Sequence, residues 1–126
     1  MICLDTHAFV WMAIAPTKLS AKVLKVVNDE SEFLIADITV WEISVLIHKQ
    51  RLTLPLPFEE FMDLAIRSRN YKIAPLTPSI AILSSSLMMH KDPADRLICA
   101  TAIRHKVKLI TKDKEIIRSG VVETVW

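Results

Sequence analysis

The sequence predicts an α/β fold with three layers, in which a mostly parallel sheet of five strands lies between helices. Short apolar runs alternate with longer amphipathic segments along the 126 residues. Strands separated by helices form right-handed crossovers, and a parallel sheet built in this way is covered by helices on both faces. No repeat or linker interrupts this alternation, so residues 1–126 are expected to form a single domain.

The predicted strands are short runs rich in apolar and β-branched residues. They cover residues 1–5, 33–36, 72–76, 108–111 and 121–125. Pro75 lies inside the third run. Because proline has no N–H group, we expect it at a point without a partner in the sheet.

Helices are predicted where apolar residues recur at helical spacing between these runs. The helical segments cover residues 7–14, 18–30, 40–49, 58–69, 77–89, 93–105 and 114–118. A proline-rich connector at 54–57 separates the third helix from the fourth. Proline fixes the backbone there and cannot continue a helix, so the connector is expected to be rigid.

Composition excludes several classes of function. Gly120 is the only glycine, so the glycine-rich loops that bind dinucleotides or phosphates and the glycine-flanked serine elbow are all ruled out. The net charge is only +2, so any contact with nucleic acid must come from local clusters of cations. Cys3 and Cys99 fall in apolar runs and form no metal-binding pair, which indicates reduced core residues.

The chain is unusually apolar for its size, with 52% hydrophobic residues. Some of that apolar surface is expected to face a second subunit or another partner. The longest uncharged stretch is broken by two prolines and several serines, so no membrane span is predicted. No leader peptide is recognisable, and we expect a cytoplasmic protein.

Four acids lie at positions where burial of an unpaired carboxylate would be energetically costly. Asp5 ends the first strand, Asp113 closely follows the fourth, and Glu42 and Asp95 lie on the apolar side of predicted helices, near their starts. Carboxyl ends of parallel strands share one edge of the sheet, and the helices that follow begin there, so the four acids are expected to converge. Such oxygen-only clusters select Mg²⁺ or Mn²⁺, which predicts a metal-dependent phosphodiesterase.

Each acid also has a purely structural interpretation. Thr39 and Glu42 fit a capping box, and Asp92 and Asp95 fit the start of a helix with a proline in its first turn. Asp5 and Asp113 fit a helix cap and a turn. The coincidence of four acids at strand ends and helix starts favours a functional site.

Four segments together resemble PIN-domain proteins, and more closely the VapC toxins of type II toxin–antitoxin systems. They are Leu4–His7, Trp41–Ser44, His90–Ile98 and Leu109–Asp113. The resemblance implies a PIN-like fold and an endoribonuclease that requires Mg²⁺ or Mn²⁺ and hydrolyses RNA, often tRNA or other structured RNA, with a metal-activated water. It also implies a cognate antitoxin and a homodimer.

The resemblance extends to individual positions. It implies that Asp5, Glu42, Asp95 and Asp113 are the catalytic residues and metal ligands, and that Thr6, Thr111 and Asp92 support them. Ala94 stands where related sequences more commonly have an aromatic residue, which leaves all four acids in place.

RNA contacts are expected from the cations beside these acids. The candidates are Lys91, Arg96, Lys112 and Lys114. His7 and His90 lie near the site segments and are candidates for phosphate contact, although a lone histidine is more typical of a helix end or the surface. The three tryptophans are more typical of a core or an interface than of base-stacking platforms.

Two alternatives stay open beside the toxin interpretation, and two others are disfavoured. A non-catalytic binding module of the same fold and a housekeeping RNA-processing nuclease are compatible with the chain. A phospho-receiver domain, like a phosphatase with an Asp-x-Asp nucleophile, is disfavoured because Asp5 is followed by Thr6 and His7.

Overall fold

A five-stranded parallel sheet forms the centre of the protein, whose computed structural model describes residues 1–126. The strands are β1 (Ile2–Leu4), β2 (Phe33–Ala36), β3 (Tyr71–Ala74), β4 (Leu109–Ile110) and β5 (Thr124–Val125). Their spatial order is β3-β2-β1-β4-β5, and every neighbouring pair is parallel. The predicted α/β architecture is confirmed, and the sheet is wholly rather than mostly parallel.

Seven α-helices connect and cover the strands. They are α1 (Thr6–Ile14), α2 (Ala21–Asp29), α3 (Asp37–His48), α4 (Phe58–Ser68), α5 (Pro78–Ser86), α6 (Pro93–Arg104) and α7 (Lys114–Ser119), with a 3-10 turn at Pro16–Lys18. The prediction of one helix over 18–30 was wrong at its start, because the side chain of Ser20 caps α2. None of the helices is long and apolar enough to cross a membrane.

Helix α3 begins three residues before the predicted start. Its N-cap is Ala36, which offers no side-chain hydrogen bond. Thr39 therefore lies within the first turns and is fully buried. The capping-box interpretation of Thr39 and Glu42 was wrong, so the position of Glu42 needs another explanation.

Two apolar layers flank the sheet, because alternate strand residues point to opposite faces. Ile2 and Leu4 join the larger cluster, which includes buried residues of α1, α2 and α4. Cys3 joins the smaller one, together with residues of α6 and α7. Burial raises the pKa of the Cys3 thiol well above its usual range and that of Cys99 to about 12. Both cysteines are free thiols, and their raised pKa values keep them protonated and unreactive at neutral pH.

The backbone conformations required by Pro75 and Gly120 fit the positions of these two residues in the fold. Strand β3 ends at Ala74, so Pro75 removes no hydrogen bond from the sheet. Gly120 ends α7 with a φ of 65°, in the left-handed region that glycine adopts without strain.

Candidate active site

An open cleft of about 610 Å³ lies at the carboxyl ends of the central strands. Leu4 of β1 pairs with Ile110 of β4, so the residues that follow the two strands emerge side by side. Asp5 and Asp113 line the cleft from this edge, and Glu42 of α3 and Asp95 of α6 line it from the helices. The structure thus brings all four predicted acids to one cleft.

Three carboxylates of the cleft are also helix N-caps. Asp5 caps α1, Asp92 caps α6 and Asp113 caps α7. In each case Oδ1 accepts the backbone N–H bonds, and the positive end of the helix dipole favours the ionised carboxylate. The donors include the N–H groups of Ala8, Ala94 and Ile116, at 2.8, 3.0 and 3.0 Å respectively.

Asp95 is common to two groups of side chains whose ligand atoms lie within 4.8 Å of one another. One group adds Glu42 and Asp92, and the other adds His90 and Asp113. Asp5 belongs to neither group, although it lines the same cleft. Asp95 is therefore the geometric centre of the acidic cluster.

Asp5 is the most deeply buried of these acids, with 8% of its surface exposed. Burial raises the pKa of its carboxyl group, and the hydrogen bonds from the Thr111 hydroxyl and the Ala8 N–H oppose that shift. The Thr111 hydroxyl donates to Oδ2 of Asp5 and accepts the N–H of Asp113 at 3.1 Å. Thr111 consequently connects the two acids that follow β1 and β4.

The pKa of the Asp95 carboxyl group departs clearly from its usual value. Burial is the main cause that raises its pKa from 3.8 to about 6, and the hydrogen bond from His90 partly opposes it. The nearby Asp92, Asp113 and Glu42 raise it further. Like charges crowded into a partly dry cleft disfavour ionisation, which is the condition that a bound cation relieves.

His90 faces this cluster rather than bulk solvent. Its Nε2 lies 2.7 Å from Oδ2 of Asp95, and its Nδ1 lies 3.5 Å from an oxygen of Glu115. The hydrogen bond to Asp95 is the main cause that raises the pKa of His90. The expectation of an ordinary helix-end or surface histidine was therefore wrong.

The donor set fits a hard divalent cation. No lysine or arginine forms an ion pair with Asp5, Glu42, Asp92, Asp95 or Asp113. Carboxylate oxygens that converge without such a partner are the ligands preferred by Mg²⁺ and Mn²⁺. The cluster can therefore hold a divalent metal.

Supporting hydroxyl groups lie beneath the acids. Thr6 is buried, and its Oγ1 donates to Oγ1 of Thr39 at 3.3 Å. That bond joins the first turn of α1 to α3, the helix that carries Glu42. Thr6 thus helps to place the helix of Glu42, whereas Thr111 contacts Asp5 directly.

The four cations predicted to contact RNA occupy different environments. Lys112 lines the cleft, while Lys91 and Lys114 are exposed outside its lining. The guanidinium of Arg96 donates instead to four backbone carbonyls around the end of α5. These belong to Ser84, Leu87, Met89 and His90, at 2.8 to 3.0 Å. Arg96 differs from the expectation, because its donors are used to hold the chain that leads into α6.

Two further cations, Lys49 and Arg51, line the cleft and were not singled out from the sequence. They follow α3, and no local pattern distinguishes them from other charged residues at a helix end. All three tryptophans were expected in a core or an interface. Trp11 and Trp126 pack against the larger apolar cluster, but Trp41 is 58% exposed at the cleft.

The parallel sheet and its acidic cleft define an α/β protein with a carboxylate site suited to divalent cations. The PIN domain family matches residues 2–121. Ribonuclease VapC22 of Mycobacterium tuberculosis is 31% identical over 117 residues, which cover 91% of this chain and 88% of that protein. The chain belongs to the PIN-domain family.

Solved structures share the fold at lower sequence identity. VapBC2 from Rickettsia felis, bound to a DNA fragment from its promoter, gives a TM-score of 0.74 at 19% identity, covering 100% of this chain and 99% of that chain. A toxin–antitoxin complex from Klebsiella pneumoniae gives a TM-score of 0.70 at 19% identity, covering 100% of this chain and 97% of that chain. FitAcB from Neisseria gonorrhoeae gives a TM-score of 0.69 at 19% identity, with the same two coverages of 100% and 97%.

Proposed function

We propose that this PIN-domain protein is an endoribonuclease that depends on Mg²⁺ or Mn²⁺ and acts as the toxin of a toxin–antitoxin pair. The observation that carries the proposal is the convergence of Glu42, Asp92 and Asp95 in an open cleft without a lysine or arginine partner. The relative named Ribonuclease VapC22 supports RNA as the substrate. The similar toxin–antitoxin structures support an antitoxin as a partner.

Each acid has a proposed role in phosphodiester hydrolysis. Asp95 and Asp5 are the proposed direct ligands, Glu42 orients water or contacts a second ion, and Asp113 acts through a water. These residues would hold a divalent cation, which would supply neutralisation of charge on the scissile phosphate and a lowered pKa of the attacking water. Thr111 holds the carboxylate of Asp5 in place through its hydroxyl group.

RNA binding is proposed to depend on the cations at the rim of the cleft. Lys112 follows Thr111, and its Nζ lies 5.7 Å from the ring centroid of Trp11 and 5.9 Å from that of Trp126. Two aromatic faces restrict this flexible side chain before RNA arrives. Lys49 and Arg51 also line the cleft, so they are further proposed partners for phosphates of the RNA strand.

A homodimer is proposed from the apolar residues between β3 and α6. Ile73, Leu76, Ile82 and Met88 are all exposed, at 42%, 49%, 68% and 88%. Strand β3 is also an edge of the sheet. Exposed apolar side chains along one stretch of chain are typical of a surface that another subunit covers. Sedimentation of Ile82→Glu is expected to show a smaller species than the unmodified protein, and an unchanged dimer would contradict this surface.

The decisive experiment is incubation of purified protein with total RNA in Mg²⁺, in Mn²⁺ and in EDTA. We expect discrete fragments with either cation and none in EDTA. Asp95→Asn is expected to abolish cleavage, whereas Asp29→Asn, an exposed acid of α2, serves as the matched control and is expected to cleave normally. Absence of cleavage by the folded, cation-bound protein would favour a non-catalytic binding module.

Cell growth separates a toxin from a housekeeping nuclease. Expression of the unmodified chain is expected to arrest growth, and Asp95→Asn is expected to leave growth unaffected. Co-expression of a small protein encoded beside it is expected to relieve the arrest. Cleavage in vitro without growth arrest would favour RNA processing as the role of the same site.

A further inference from the structure

Trp41 exposes 58% of its surface directly beside the acidic cluster. It precedes Glu42 on α3, and both side chains line the cleft. An indole is among the largest apolar groups in a protein, and leaving it in water forfeits the free energy that its burial would give. Because Trp41 lies next to Glu42, we relate the exposure of its indole to the acidic site.

The other two tryptophans pack against the body of the protein, although Trp11 also lines the cleft. Trp11 and Trp126 pack on each other with ring centroids 5.9 Å apart, and both contact the larger apolar cluster. Lys112 lies over both rings. Trp41 takes part in none of these aromatic or cation–π contacts.

The wall that carries Trp41 changes character along α3. Val45 and Leu46, one helical turn farther on, also line the cleft, and Lys49 and Arg51 follow. The wall therefore offers an aromatic face near the acids, then aliphatic contact, then positive charge. A nucleotide has matching parts, since its base is a flat apolar group and its phosphate is an anion.

We propose that Trp41 stacks on an unpaired nucleobase adjacent to the phosphate that is cleaved. This subsite rests on the proposed ribonuclease function and specifies its substrate, because a base within a duplex is already stacked on both faces. The RNA segment in the cleft is therefore single-stranded, such as a loop, a bulge or an end. Stacking tolerates any base, so the subsite selects unpaired structure rather than sequence.

The cations of the cleft favour RNA over an apolar peptide as the occupant. Lys49, Arg51 and Lys112 line the same cleft as Trp41 and the acids. A phosphate backbone supplies an anion for each of them as the strand passes through. An apolar peptide covering the same walls would desolvate these charges without compensation.

The test compares Trp41→Ala and Trp41→Phe with Leu64→Ala, an exposed apolar residue of α4 outside both the cleft lining and the proposed dimer surface. The substrate is an RNA carrying one cleavage site, presented unpaired or annealed to a complementary strand. We expect Trp41→Ala to lower kcat/KM on the unpaired substrate by about 5- to 150-fold. Trp41→Phe retains most activity, Leu64→Ala is unaffected, and annealing protects the site.

Equal kcat/KM values for Trp41→Ala and the unmodified protein would overturn the subsite while the ribonuclease function stands. Trp41 would then be assigned to a protein partner. A fluorescence titration gives a readout that does not require cleavage. In the Asp95→Asn background, a short unpaired oligoribonucleotide is expected to quench tryptophan emission, and the additional Trp41→Phe change is expected to remove that quenching.

The titration also separates the two hypotheses if the unmodified protein cleaves no RNA. Quenching that depends on Trp41 would then support a nucleobase site in a protein without ribonuclease activity. Quenching that is equal with and without Trp41, or no quenching at all, would overturn the nucleobase site.

Discussion

Nε2 of His90 lies 2.7 Å from Oδ2 of Asp95, so a histidine from the loop before α6 holds the central carboxylate of the acidic cluster. Asp95 belongs to both groups of side chains able to hold a cation, and His90 belongs to one of them. The imidazole N–H donates to one carboxylate oxygen and thereby fixes the direction of the other. Outer-sphere partners of this kind orient metal ligands.

We expect His90→Ala to weaken Mn²⁺ binding by about 10- to 100-fold, because the Asp95 carboxylate then loses its orienting donor. His90→Gln is expected to retain more affinity, since its amide N–H can replace the imidazole donor. His48→Ala, an exposed histidine at the end of α3, is the matched control. The measurement is calorimetric titration with Mn²⁺, and unchanged affinity in His90→Ala would contradict the orienting role.

The buried Asp5 predicts a pH-dependent stability in the absence of metal. Its folded-state pKa is raised above 3.8, so folding favours the protonated carboxyl group. The resulting stabilisation is complete below pH 3.8 and is lost as pH rises through the raised pKa. In EDTA, Asp5→Asn is therefore expected to have a higher urea midpoint than the unmodified protein at pH 8, and a smaller advantage at pH 4.

Asn can still accept the Ala8 N–H bond that caps α1, so this substitution removes the charge and keeps the cap. Asp29→Asn again serves as the exposed control. A lower urea midpoint for Asp5→Asn at pH 8 would show that the ionised carboxylate stabilises the metal-free fold.

Divalent cations are expected to raise the unfolding temperature, because they bind only the folded arrangement of acids. At a free cation concentration of about 100 times Kd, linkage gives about 2.7 kcal/mol of stabilisation. Glu42→Gln is expected to reduce the Mg²⁺-dependent rise, and Asp95→Asn to remove most of it. If both variants showed a Mg²⁺-dependent rise as large as that of the unmodified protein, the cation would bind elsewhere.

Arg96 is expected to act on stability through its four carbonyl partners. Arg96→Lys supplies one compact ammonium group, which cannot reach all four acceptors in the geometry of a guanidinium. We expect a loss of about 1–3 kcal/mol in the free energy of unfolding, measured with urea. Arg104→Lys on the same helix is the control, since Arg104 is exposed and makes one bond at 3.4 Å.

The sequence predicted the parts of the fold that depend on local pattern. Apolar runs located all the strands, and Asp5 and Asp113 followed from the rule that parallel strands end at one edge. The start of α3 was mistaken because Thr39 and Glu42 have the spacing of a capping box. The helix instead begins at Asp37, and Thr39 is buried against the Thr6 hydroxyl, a partner 33 residues away.

Contacts set by tertiary structure were beyond the reach of local pattern. Arg96 looks like a free cation beside an acid, but the loop after α5 surrounds its guanidinium with carbonyl groups. Lys49 and Arg51 line the cleft because they follow α3, whose residues also line it. Trp41 of α3 is exposed at the cleft, and local pattern did not distinguish it from Trp11 and Trp126, which pack against the apolar cluster.

Three helices, α1, α6 and α7, begin at carboxylates of the cleft, and this arrangement bears on how the protein matures. Their dipoles direct partial positive charge at the acids, so the folded chain carries internal counter-charges before any ion arrives. We therefore expect newly made protein to complete folding in a metal-poor environment and to bind the proposed cation afterwards. The supply of the ion, rather than a folding step, would then determine when the site becomes active.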